Sequence, residues 1–270
     1  DMERNMAHYA AAGVKGFKVD FFDRDDQEAI RSSYEIAACA ARHHLLVDYH
    51  GLKPSGVQRA YPNVVNFEGV KGLENCKWEQ RNANGPVHDM PRYDVSIPYL
   101  RMPPGPLDYT PGAMHNATRR NFFGNNSNPM GMGTRVHQMA MYIIFEAPLQ
   151  MLADSPSHYM QNQECTDFIA AVPTTWDETR PLAGEMGEYV AIARRKGTQW
   201  FIAAMNNWEP RTLTLKLDFL TAPATIDCFN DGVNADHEAT DYAHSKRTVK
   251  PGETITVTLA PGGGWAAMTK

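Results

Sequence analysis

The chain has 270 residues, a formal net charge of −5 and 43% hydrophobic residues, a composition that supports a sizeable core and one or two domains. Mild acidity argues against nucleic acid or an anionic membrane as partner, and no apolar run approaches the roughly 20 residues needed to span a bilayer. Four cysteines (Cys39, Cys76, Cys165 and Cys228) are scattered without a CxxC pair, which argues against a structural zinc site and leaves the redox compartment open.

The opening Asp1-Met2-Glu3-Arg4-Asn5 does not read as a signal peptide. Val14 to Phe22 is rich in β-formers. Asp23 then reads as a helix N-cap, with Asp25 and Asp26 in a first turn that favours negative charge. That helix is expected to run to about His43, with Ile30, Tyr34, Ala37, Ala38 and Ala41 near helical spacing and Cys39 a small buried hydrophobe. Leu45 to Tyr49 is a second strand ending at His50-Gly51, and Asn63 to Phe67 a third ending at Glu68-Gly69. An extended stretch around Val95 to Arg101, a helix over about 134–146 and a strand over Pro148 to Leu152 follow.

From about residue 185 the texture changes to short strands divided by Gly, Pro and Asn. Glu188–Ala193 and Trp200–Met205 read as a hairpin joined through Arg194 to Thr198. Thr212–Leu217, Ala224–Phe229, Glu253–Leu259 and Trp265–Met268 are further strands, and the alternation in Thr254 to Leu259 fits a half-buried antiparallel sheet.

The strand ends at Asp20 and His50 lie one βα repeat apart, which implies a parallel sheet with polar residues at its C-terminal edge. Asp20, Asp48, His50 and Glu68 all fall there. No GxGxxG or Walker-type loop follows the first strand, so nucleotide binding is disfavoured; HExxH and GxSxG are absent too. Asp20 can face an active-site mouth, or it can be a structural carboxylate pairing with Lys18 or capping the next turn. Glu68 and Glu74 lie six apart in a loop with Gly69 and Gly72. They can converge as hard oxygen ligands of the kind Ca2+ takes, or be solvated loop glutamates. A glycosidase needs two carboxylates in different protonation states, and Asp20 with Glu74 is a candidate pair.

The segments 13–27 (GVKGFKVDFFDRDDQ), 45–51 (LLVDYHG), 61–69 (YPNVVNFEG), 72–74 (GLE), 107–114 (LDYTPGAM) and 148–156 (PLQMLADSP) together resemble glycoside hydrolase family 97. The resemblance implies an α/β fold: a partial (β/α)8 TIM barrel, about strands 4–8, over residues 1–180, followed by an antiparallel β-sandwich domain over 181–270. It implies an exo-acting retaining α-galactosidase working by double displacement, with an α-glucosidase of the same family, or an inactive sugar-binding fragment, as alternatives. In that resemblance Asp20 is the nucleophile and Glu74 the acid/base, and Glu68 and Glu74 hold Ca2+. Lys18, Asp48, His50, Arg101 and Asp108 are expected to contact an α-galactoside or related oligosaccharide. The family's first three barrel strands and N-terminal sandwich have no counterpart here, so a missing N-terminal portion or self-association is expected. A periplasmic or secreted location is expected through the family alone.

Overall fold

Three short strands frame the candidate site: β1 (Gly16–Val19), β2 (Leu46–Tyr49) and β3 (Val64–Phe67). They form a parallel sheet in the order β1-β2-β3, with Lys18 opposite Asp48 and Asp48 opposite Asn66. A parallel pair needs a crossover, which helix α2 (Gln27–Arg42) supplies between β1 and β2 and the short α3 (Val57–Ala60) between β2 and β3. Helix α1 (Met2–Ala11) precedes them. The fold is thus mixed α/β in a computed structural model that describes residues 1–270.

The cap of α2 is Asp26 rather than the expected Asp23. Asp26 Oδ1 accepts from the backbone of Glu28 and Ala29, each at 3.1 Å, and Arg24 chelates the same carboxylate. Asp23 instead takes a left-handed turn at φ 50°. Ala29, Ala37, Cys39 and Ala40 form the buried face of α2 and pack with Val47, Tyr49, Val57 and Phe67. Small residues on that face let the helix lie close to the sheet. Asn63 ties helix to strand by donating to the carbonyls of Ala37 and Leu45.

These elements, with residues 101–109 and 146–151, make one compact unit. Beyond β3, Phe67 bridges Leu107 in parallel, Asp108 N donates to Phe67 O at 2.9 Å, and Leu107 N donates to Glu146 O at 2.8 Å. The expected strand over Pro148 to Leu152 does not form. That stretch is irregular, and Leu149 O is taken by the side chain of Asn66 at 2.7 Å.

The second unit comprises residues 73–100, 110–145 and 152–270. Of the stretch expected to be extended from Val95 to Arg101, Ile97–Leu100 forms a helical turn, α5, just after the short helix α4 (Met90–Asp94). Asp89 caps α4 by accepting from Arg92 N at 3.0 Å, and Pro91 suits its first turn. Helix α6 (Arg135–Ile144), capped by Thr134, is buried at all ten positions. Helices α7 (Pro156–Gln161) and α8 (Gln163–Ala171) follow.

The remaining chain is β-structure: β4 (Glu178–Glu185), β5 (Tyr189–Lys196), β6 (Gln199–Asn206), β7 (Arg211–Lys216), β8 (Ala224–Asp231), β9 (Tyr242–Val249), β10 (Thr254–Leu259) and β11 (Gly264–Thr269). Six strands pair antiparallel in the order β9-β8-β11-β6-β5-β4, and β7 pairs with β10. The β5–β6 hairpin closes through Gly197-Thr198, with Gly197 at φ 58°. Strand β10 alternates exposed and buried as its sequence does, and its inward residues Ile255, Val257 and Leu259 share a core with Trp200, Leu215, Ile226 and Trp265. Helix α6 packs on the other face of the six-stranded sheet. His137 Nδ1 meets Gly263 O at 2.9 Å, and a Cβ on Gly264 would lie 2.5 Å from His137 N, so only glycine fits there.

Candidate active site

Each strand of the parallel sheet ends in polar residues, because the last turn of backbone leaves the packed layer and meets water. Asp20 follows β1 directly and is exposed, and its Oδ1 accepts from Phe21 N at 2.6 Å. Phe21 takes φ 62°, a left-handed turn that carries the chain away just after the carboxylate. Gly51 stands beside it. A Cβ on Gly51 would lie 3.2 Å from Asp20 Oδ1, and Gly51 has φ +72°, so both space and backbone angle favour glycine. Gly51 N also donates to Glu68 Oε2 at 2.8 Å. One glycine therefore lies against two carboxylates. The sequence showed it only as the end of a strand.

Behind Asp20 lies an ionic cluster. Asp108 Oδ2 is 2.6 Å from Lys18 Nζ and 2.8 Å from His50 Nδ1, and its side chain is 1% exposed. His50 Nε2 reaches Glu68 Oε1 at 3.2 Å. Asp48, level with Lys18 across the sheet, is buried and accepts no hydrogen bond at either oxygen. Burial first, and then the charge of Asp108, push its carboxyl up to about 7, with Lys18 pulling the other way. Burial would raise Asp108 too, but the hydrogen bonds from His50 and Lys18 outweigh it and hold that carboxyl below its usual range. The pair thus splits into an ionised Asp108 and an Asp48 that holds its proton to near neutrality and can donate it to its neighbour. A protonated Asp48 gives one of its two otherwise orphaned oxygens a partner, in Asp108.

Six of the eight residues singled out from sequence meet in this cluster or beside it: Lys18, Asp20, Asp48, His50, Glu68 and Asp108. Arg101 belongs to the same unit but is engaged differently. Its guanidinium donates to the carbonyls of Phe67, Glu68, Gly105 and Pro106 at 2.9–3.2 Å. That is the work of a loop clamp, holding the backbone on both sides of Glu68. Glu74 lies in the second unit, half-buried on a 3₁₀ turn over Leu73–Trp78. The contact of Lys18 with Asp108, ninety positions apart, left no local trace in the sequence.

The site presents the Asp20 carboxylate in water-accessible space, with Gly51 between it and Glu68 and with Lys18, His50, Asp108 and a proton-holding Asp48 grouped at the same strand ends. Glu68 offers carboxylate oxygens of the type that hard cations take.

Two family models match the chain: Glycoside hydrolase 97 over residues 1–70, and Glycosyl-hydrolase 97 C-terminal, oligomerisation, over 175–270. A retaining α-galactosidase of Bacteroides thetaiotaomicron is 47% identical over 274 residues, covering 100% of this chain and 40% of that protein. A probable retaining α-galactosidase of Streptomyces bingchenggensis is 32% identical over 95% of this chain and 36% of its own length. The chain thus spans about two-fifths of the curated relatives it matches. Among solved structures, a family 97 enzyme from a Pseudoalteromonas species in complex with panose superimposes with a TM-score of 0.85 at 26% identity, over 100% of this chain and 44% of that one. A β-arabinopyranosidase does so with a TM-score of 0.83 at 31% identity, over 98% and 41%.

Proposed function

Because the chain belongs to glycoside hydrolase family 97, we propose that it carries the catalytic carboxylates of an exo-acting retaining α-galactosidase. The observation that carries this is the 47% identity running along the whole chain to a retaining α-galactosidase, together with an exposed Asp20 at the end of β1. The Pseudoalteromonas relative seen with panose stands further away, at 26% identity, so galactose is preferred to glucose as the sugar. In this reading residues 1–180 are the latter part, about strands 4–8, of a (β/α)8 barrel, and 181–270 a C-terminal sandwich. The protein works outside the cytoplasm, in a periplasm or secreted.

Asp20 attacks the anomeric carbon and forms a glycosyl ester while Glu74 protonates the departing oxygen. Water then cleaves the ester, with Glu74 taking its proton. An exposed carboxylate beside a glycine suits the nucleophile, since nothing crowds its approach. Lys18, Asp48, His50 and Asp108 line the floor beneath the sugar, and the proton held by Asp48 keeps that floor from gathering excess negative charge. Arg101 supports the loop that carries Glu68. Glu68 and Glu74 would hold a calcium ion, whose charge when bound would help orient sugar hydroxyls. The donor chemistry fits: both offer carboxylate oxygens, and Glu68 is fixed by Gly51 N.

The test is Asp20→Gly, with aryl α-galactoside, α-glucoside and β-arabinopyranoside substrates. Loss of α-galactoside hydrolysis, with azide restoring turnover as a glycosyl azide, is the expected result. An Asp20→Gly protein with normal rates would remove Asp20 as nucleophile. A wild-type rate highest on the α-glucoside would replace galactose by glucose as the substrate.

A further inference from the structure

A second cluster of metal-type ligands lies away from the strand ends, where α1 meets α2. Glu3 sits in the first turn of α1. Cys39 and His43 are spaced i and i+4 at the end of α2, which puts them on one face of that helix. Cys39 Sγ is 3.2 Å from Glu3 Oε2, and His43 Nε2 is 2.7 Å from Glu3 Oε1. One ligand atom from each of the three residues falls within 4.8 Å of the others. Tetrahedral zinc, with bonds of about 2.0–2.3 Å to nitrogen, oxygen and sulfur, brings its ligands to comparable mutual distances.

We propose that Glu3, Cys39 and His43 form a three-ligand site for a borderline-soft divalent cation of the Zn2+ type, with water as the fourth ligand. The lack of a CxxC pair excludes a closed four-cysteine site; it does not bear on a site assembled from two helices. The ligand set speaks against Ca2+ and Mg2+, which take oxygen, and for a metal that accepts thiolate and imidazole. Without metal, Arg42 fills the role of the cation: its guanidinium pairs with Glu3 while its own side chain is 58% exposed. Arg42 therefore needs only to swing into water for a metal to enter. In that state the Cys39 thiol donates to Glu3. Binding forms the metal–sulfur bond and releases the thiol proton to solvent, so affinity rises with pH. A metal here would staple α1 to α2.

Titration of the 270-residue chain with Co2+ in chelator-free buffer tests this, with absorption reading the thiolate-to-cobalt charge-transfer band and Zn2+ reading the shift in Tm. The expected result is a band that saturates at one equivalent, is reversed by Zn2+, and is lost in Cys39→Ala. Glu3→Gln, at an exposed position, weakens binding but keeps the band, which guards against a misfolded cysteine variant. Arg42→Gln tightens binding by up to about fivefold, the factor set by losing a competing exposed ion pair. A wild-type protein without the band, a band that survives in Cys39→Ala, or weaker binding in Arg42→Gln each overturns the proposal and leaves Glu3, Arg42 and His43 as an ion-pair network alone. Calcium at Glu68 and Glu74 gives no such band, so the two metal proposals stand or fall separately.

Discussion

His244 on β9 clasps helix α8 to the six-stranded sheet, and replacing it with Gln should cost stability in a pH-dependent way. Its Nδ1 meets Glu164 Oε1 at 2.6 Å, its Nε2 meets Asp227, and its ring stacks on Phe229 with centroids 4.3 Å apart. Tyr242 donates to Glu164 at 2.8 Å, and Lys270 lies 3.0 Å from the other oxygen of Asp227. Burial would lower the His244 pKa, but the hydrogen bonds to Asp227 and Glu164 outweigh it and raise it. Glu164 is lowered by Tyr242 and His244; Asp227 is lowered by His244 and Lys270 against its own burial. A raised histidine pKa means the folded state binds the proton more tightly. Its contribution is complete below the unfolded value, about 6.5, and fades as pH rises through the folded one. The carboxylates' contribution is present above about 4 and fades as pH falls through their folded values. The clasp is therefore strongest between about pH 4.5 and 6.5. Charged hydrogen bonds contribute about 1.5–3 kcal/mol when buried, but the Glu164 side chain is 49% exposed, so solvent screening brings the total to about 1–2 kcal/mol. In a protein of this length that is about 2–8 °C in Tm. Calorimetry of wild type and His244→Gln should show this gap near pH 5.5 and a smaller one, due to lost stacking alone, near pH 8.5. An equal gap at both pH values would refute the ionic account.

Gly51→Ala should destabilise the chain by about 1–2 kcal/mol, the cost of a left-handed angle at an L-residue. It should also cut turnover in proportion to the displacement of Asp20, so a melting curve and a rate at saturating substrate should fall together; an unchanged rate would separate Asp20 from Gly51. Asp48→Asn should gain stability relative to wild type as pH rises from about 4 to about 7, because the native carboxyl, raised to about 7, binds a proton that the unfolded chain releases. Urea melts at the two ends of that range check it, and a parallel pair of curves would mean that Asp48 ionises freely.

The sequence was most legible where one local signal agreed with the tertiary packing. Helix α2 and strands β1 to β3 read correctly because an alanine face and short apolar runs each match a buried surface. The edge strands β4 and β9 went unseen. Most of their residues face solvent, so neither carries the alternation that marks a half-buried strand. Helix α5 reads as extended on the β-propensity of Val95 and Ile97, and the short α4 before it, with its capping Asp89 and Pro91, went unseen. At the site, the residue types at the strand ends were visible one by one. The division of labour between Asp48 and Asp108 was not, since it depends on Lys18 and His50 meeting a carboxylate from a distant loop.

Helix α6 sets a limit on how this protein can be taken apart. The C-terminal family match begins at residue 175, which invites treating the β-structure as a detachable cassette. Yet all ten residues of α6 are buried, and one face of the helix lies directly on β6 and β11. A cut at residue 175 would strip that face and leave a helix with no water-compatible side, and the excised sheet would carry the matching apolar scar. Grafting or deletion at this seam should give insoluble halves, whereas a boundary drawn before residue 135 keeps the helix with the sheet it was shaped for.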